Sequence, residues 1–132
     1  MKKILFVAMM LLVTVTTYSQ TVITTTVARI GKWDAVMETW SYGELTPVEL
    51  TFTASGTGMT VNDESKSVYT FKSVRKRETG KTTDGKATYT AYRWDCEDEK
   101  YRDCTLSILS YSTGEKRISI MYNTTVFQYF YK

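Results

Sequence analysis

The sequence has no histidine among its 132 residues, and that absence removes more chemistry than any motif in it adds. Ser-His-Asp and Cys-His nucleophilic machinery is excluded, as are zinc sites built on imidazole. General acid–base work would fall to carboxylates, tyrosines or lysines of shifted pKa. No cofactor motif and no metal-ligand spacing stands in for it. The chain is therefore expected to be a non-enzyme, with no cofactor and no bound metal. Proline is nearly absent, Pro47 being the only one. Apolar residues at helical spacing are missing throughout. Long hydrophobic runs are missing too: the longest, Ile4 to Val15, has 12 residues, well short of the roughly 18 needed to span a bilayer. No stable membrane insertion is expected.

That short run has a different reading. Lys2 and Lys3 precede it, and small or polar residues follow, with Thr17 and Ser19 placed where a signal peptidase selects small side chains. This is the layout of a secretory signal peptide over residues 1–19, cleaved between Ser19 and Gln20. No cysteine lies near the cleavage point, so no lipid anchor is indicated, and the Met-Lys-Lys start has a bacterial look. The protein is expected to be secreted or periplasmic. Removing the leader leaves 113 residues, 20–132, the size of one domain. Without Lys2 and Lys3, 15 basic residues face 14 acidic ones, so the net charge falls from +3 to about +1. Nucleic-acid binding has no global electrostatic support.

What remains is rich in strand formers. Threonine is abundant, and the domain carries nine tyrosines, three tryptophans and four phenylalanines. Turn signals recur every 8 to 12 residues: around Gly43 to Pro47, Ser55 to Gly58, Asn62-Asp63, Thr79 to Gly85, Glu97 to Arg102, Ser112 to Gly114 and Asn123-Thr124. They separate eight strand-like runs, roughly 33–42, 48–54, 58–62, 67–78, 86–97, 103–112, 116–123 and 125–131. The expected fold is all-β, an eight-stranded antiparallel meander closed as a small barrel, with a β-sandwich as the alternative.

Cys96 and Cys104, eight apart in an exported chain, predict a structural disulfide. Bridging so short a loop would add roughly 2–3 kcal/mol of stability. Facing cysteines set Asp98 opposite Arg102, Trp94 opposite Leu106 and Tyr92 opposite Ile108. A three-residue loop at Ser112-Thr113-Gly114, with Gly114 left-handed, then sets Ile118 opposite Ile108 and Ile120 opposite Leu106. A two-residue turn at Asn123-Thr124 sets Phe127 opposite Ile120 and Tyr129 opposite Ile118. One apolar face runs through all three hairpins, and a single-residue slip in any strand would turn its face to solvent. The hairpin around Asp84-Gly85 leaves two registers open. A two-residue loop puts Tyr69, Phe71, Arg75 and Arg77 on the face of Tyr92 and Trp94. A three-residue loop puts Val68, Lys72, Val74 and Lys76 there. Either way a basic side chain lies on or beside the inner face, solvated at the barrel rim or poised to contact an acidic ligand.

Other candidates dissolve on inspection. Gly80-Lys81-Thr82 imitates a phosphate loop but lacks its leading glycine, since Arg75 stands there. Ser73 and Lys76 have the spacing of a serine acyl-enzyme, yet on a strand they point to opposite faces. Asn123-Thr124-Thr125 is a glycosylation sequon, which matters only in a eukaryotic secretory route. The carboxylates Asp95, Glu97, Asp98, Glu99 and Asp103 match no calcium loop and read as a solvated hairpin tip. The aromatic inner face of Tyr92, Trp94, Phe127, Tyr129 and Tyr131 is core first and ligand platform second; several tyrosines suit a pocket better than a dry core.

Gly31-Lys32-Trp33 resembles the Gly-x-Trp signature of lipocalins and other calycins. The resemblance implies a lipocalin-like barrel with Trp33 closing one end beside a basic residue; the chain departs from it in lacking the C-terminal helix of lipocalins and in having no room for the helical lid of fatty-acid-binding proteins. Ser55-Gly56-Thr57-Gly58 is similar to the Ser-Gly-rich loop of periplasmic lysozyme inhibitors, although the rest of that pattern is missing. The expected function is binding of a small amphipathic or apolar molecule, with Trp94, Tyr92 and Tyr129 lining the site. Arg75 or Arg77 would meet an acidic group at the mouth. The alternative is a protein-interaction module, such as an inhibitor of an extracellular or periplasmic enzyme, working through loops such as Ser55 to Gly58. An open cavity favours the first, a sealed core the second.

Overall fold

A computed structural model describes residues 20–132; the leader expected over residues 1–19 lies outside the described residues. The described residues form ten strands and no helix: β1 (Thr21–Asp34), β2 (Thr39–Tyr42), β3 (Thr46–Ala54), β4 (Gly58–Val61), β5 (Val68–Phe71), β6 (Lys76–Lys81), β7 (Thr88–Glu97), β8 (Asp103–Tyr111), β9 (Lys116–Met121) and β10 (Thr125–Tyr131). All pairings are antiparallel. The path runs β10-β9-β8-β7-β5-β4-β3-β1, and β10 pairs back onto β1 from Val27↔Phe130 to Lys32↔Thr125. This closes an eight-strand barrel and excludes the sandwich. β2 and β6 are not extra staves. β2 follows the lower half of β1 and leads into β3, and β6 continues β5 along β7. The meander therefore has eight long strands, two of them broken.

The C-terminal registers are those that alternation demands. Trp94 faces Leu106, Tyr92 faces Ile108, Ile120 faces Leu106 and Phe127, and Ile118 faces Ile108 and Tyr129. Gly114 takes φ +96° in the turn from Tyr111 to Glu115, and Asn123-Thr124 forms the two-residue turn closed by Tyr122 N on Thr125 O at 2.7 Å. The β6–β7 register sets Arg77 opposite Tyr92, as in the first of the two alternatives, while Arg75 lies in the break before β6. This register is reached through a loop closed by Thr82 N on Ala87 O at 2.9 Å, with Gly85 at φ +70°.

Three expectations are corrected. Residues 33–42 are not a strand but a hairpin: the end of β1, a turn over Ala35–Glu38, and β2. The first barrel strand starts twelve residues earlier, at Thr21. Its alternation was masked because threonine faces both sides and a bulge between Thr25 and Val27 changes phase. Second, Cys96 and Cys104 pair in register but form no disulfide; both are free, buried thiols. Asp98 N donates to Arg102 O at 3.0 Å, and alternation along the ladder makes Cys96/Cys104 a hydrogen-bonded pair as well. Cβ atoms at such a pair stand about 5.5 Å apart, beyond the roughly 3.5–4.5 Å that a disulfide needs. Hydrogen bonding with Cys104, then burial, push the Cys96 thiol pKa up and keep it protonated. Third, Trp33 does not close a barrel end. It lies on the outer surface, packed edge-on against Trp40 at 5.5 Å.

The barrel centre is filled. Phe52, Met59, Leu106, Ile118 and Ile120 are at most 1% exposed, with Tyr69 and the two cysteines packed among them. Gly58 lets β4 pass β5 closely, since a Cβ there would collide with the Tyr69 carbonyl oxygen. Backbone cannot step aside as a flexible side chain can. Gly58→Ala is expected to lower stability by about 1–3 kcal/mol, measured by urea denaturation; wild-type stability in the variant would refute the close approach.

Candidate functional site

The filled centre leaves recesses at both ends. The larger, about 1160 Å³, opens where β1 begins and β10 ends. Ile23, Ala54 and Ile108 form its apolar floor, and Phe71, Tyr92 and Trp94 its aromatic wall. Phe71 and Trp94 stack at 4.7 Å with planes 9° apart, one ring from each of two paired strands. Thr21, Thr57 and Ser73 add hydroxyls near the rim.

The lip is made by the break between β5 and β6. Phe71 pairs with Cys96 but Lys76 pairs with Arg93, so two extra residues are taken up between them. Lys72 N donates to Asp95 O at 2.7 Å, and Asp95 N donates to Ser73 Oγ at 3.0 Å, holding the start of the break. Val74 and Arg75 then leave the ladder and stand at the recess, Val74 being 82% exposed. The Arg75 guanidinium sits 4.8 Å above the Tyr92 ring and joins no ion pair among the described residues. Lys72, by contrast, is occupied: its Nζ lies 2.8 Å from Asp103 and 3.8 Å from Glu97. The hydrogen bond to Asp103 raises its pKa.

The structure thus brings Tyr92, Trp94 and Arg75 together at one mouth. Arg77 lies opposite Tyr92 on the β6–β7 arm, exposed and outside the recess. Tyr129 does not reach it either. Its ring packs on Phe52 at 5.0 Å and lines the recesses at the opposite end, and burial raises its pKa. Ser55 to Gly58 forms the turn from β3 into β4, with Gly56 and Thr57 exposed. It is folded on itself by Ser55 N to Gly58 O (2.8 Å), tied to β5 by Phe71 N to Thr57 O (2.9 Å), and forms part of the recess wall.

The opposite end is closed by a group that charge patterning hid. Asp98, expected at a solvated tip, is 5% exposed. Its Oδ1 accepts from the backbone N–H of Lys100 and of Arg102, both at 2.9 Å. Its Oδ2 accepts from Arg102 Nε and the Tyr122 hydroxyl, both at 2.8 Å. Burial alone would raise the Asp98 pKa, but these hydrogen bonds outweigh it and the net shift is downward. Tyr122 moves upward, through burial and through donating to that carboxylate. Among the described residues no three Asp, Glu or Cys side chains converge as a metal site. Comparison of the chain with protein-family models, curated proteins and solved structures finds no match.

Proposed function

We propose that the protein is an exported, non-enzymatic binding protein of lipocalin-like type, taking a small amphipathic molecule in the end recess. The apolar body of the guest lies against Trp94, Phe71 and Ile108, and its anionic group meets Arg75. One observation carries this reading: an arginine with no carboxylate partner among the described residues is held over Tyr92 at the lip of an aromatic recess. Buried apolar area supplies affinity and the single cation supplies orientation. The filled centre makes the site shallow, so short or planar guests fit better than long chains.

The test uses two fluorescent probes of one shape, anilinonaphthalenesulfonate and uncharged phenylnaphthylamine. Both are expected to bind wild type, and Ile108→Arg is expected to abolish both. Arg75→Ala should weaken the sulfonate about tenfold, the worth of one charge-assisted hydrogen bond, and leave the neutral probe unchanged. Equal loss of both probes in Arg75→Ala, or no binding by wild type, would defeat the reading.

A further inference from the structure

The β1–β2 hairpin is built unlike a solvent-facing turn. Its tip carries Val36 and Met37, 91% and 71% exposed, with Trp33 and Trp40 packed together behind them. Loop tips ordinarily use Gly, Asn, Asp or Pro, and none of them stands among the turn residues Ala35 to Glu38 themselves. The turn is shaped by an Asx cap from the preceding Asp34, whose Oδ1 accepts from Val36 N at 3.0 Å and Met37 N at 3.2 Å, and by Glu38, a non-glycine residue at φ +51°. A strained backbone and a dedicated capping carboxylate hold two apolar side chains in water. The last β1 residue paired with β10 is Lys32, so the segment beyond it projects past the barrel.

Charge narrows what can receive this finger. Between residues 30 and 45 the sequence carries Asp34, Glu38 and Glu44 against the single basic Lys32, so an anionic bilayer would repel the finger. The complementary surface is the end recess, apolar within and carrying at its lip the guanidinium of Arg75, which joins no ion pair among the described residues. We propose that the finger of one molecule docks in the recess of a second copy. Val36 and Met37 would lie on the Trp94–Phe71 wall, and Glu38 would meet Arg75. A molecule cannot reach its own recess. β1 starts at the recess with Thr21 and Ile23 and ends at the finger, and Ile23 to Asp34 spans about 35 Å of strand. The contact is therefore heterologous and propagates head to tail. The inference rests on the recess described under Proposed function, and makes the finger a competitor of the small guest there.

Sedimentation velocity from ~1 to ~200 μM protein tests it, a range suited to a small interface. Wild type is expected to build species beyond the dimer as concentration rises. The double variant Val36→Asp/Met37→Asp, which has no finger but an intact recess, should stay monomeric. So should Arg75→Glu, which has a finger but a hostile lip. Mixed one to one, the two variants should form a dimer and stop, since one finger and one recess remain to pair. Glu38→Lys added to Arg75→Glu should restore the chains. A monomeric wild type, association that survives loss of the finger, or a mixture that stays monomeric would each overturn the proposal. So would a monomeric wild type that binds neutral phosphatidylcholine vesicles through Val36 and Met37. The sulfonate probe separates this inference from the ligand reading. Val36→Asp/Met37→Asp should bind it as wild type does at 1 μM, whereas failure of that binding with chains still forming would defeat only the ligand reading.

Discussion

Asp98→Ala is expected to lower stability by about 3 kcal/mol, a large fraction of the roughly 5–15 kcal/mol that holds a domain of this size. The carboxylate accepts four hydrogen bonds, two from backbone N–H groups, one from Arg102 and one from Tyr122. Alanine leaves the two amides of the β7–β8 turn without acceptors and strands the Tyr122 hydroxyl at the edge of the core. Arg102 suffers least, because its side chain is 59% exposed and water can replace the lost partner. Asp98→Asn should fall between, since an amide oxygen can still serve the two backbone donors. The acid limb of stability carries the same signature. The Asp98 pKa lies below its unfolded value, so its contribution is fully present above about pH 4. It disappears as the pH falls through the lower, folded value. Urea denaturation from pH 7 to pH 2.5 should therefore show a flatter acid limb in Asp98→Asn than in wild type. Parallel limbs would mean that the carboxylate is not ionised in the folded barrel.

How much of this was legible in the sequence depended on whether one strand could be read by itself. From Thr88 to Tyr131 one face of each strand carries an apolar residue at nearly every second position, across short turns, so Tyr92, Trp94, Leu106, Ile108, Ile118, Ile120, Phe127 and Tyr129 could be set facing each other from spacing and turn length. The register deduced from a Cys96–Cys104 bridge was correct although no bridge forms. Alternation, not the bond, specifies that pairing. β1 was illegible because its threonines carry no side preference and its bulge breaks the period. The apolar residues of 33–42 looked like a strand because the turn at Ala35–Glu38 rests on a lone Asx cap from Asp34 and a left-handed glutamate, and a single Asp among apolar residues is a weak turn signal. Asp98 was hidden among four other carboxylates. Its burial depends on Tyr122 arriving from the end of β9, a contact 24 residues away in sequence. The recess was half legible: Arg75 shares a face with Tyr92 and Trp94 in one of two registers, but the two-residue break that brings it to the lip is a tertiary feature.

Phe52→Ala is expected to cost about 3–5 kcal/mol and also to change what the barrel can hold. Phe52 is fully buried on β3, opposite Ile23 on β1 and Val61 on β4, with its ring against Tyr129. Along the inward face of β3 it stands between Ala54, which lines the end recess, and Leu50, which lines the recess at the far end. The ring is therefore the partition between the two ends. Removing it leaves an apolar void that surrounding strands cannot close, because each is hydrogen-bonded to two neighbours around the barrel. An apolar void stays dry and accepts apolar guests, so the shallow site would deepen toward Tyr129. Thermal or urea denaturation measures the first effect. The second is read from a series of alkyl sulfonates of increasing chain length. Wild type should stop gaining affinity once the chain reaches the floor, while Phe52→Ala should keep gaining for several more methylenes, at up to about 0.8 kcal/mol each. Identical chain-length limits in a folded Phe52→Ala would show that the partition lies elsewhere. A stability loss below 1 kcal/mol would show that the strands can collapse onto the gap, which a closed ladder of eight strands should not permit.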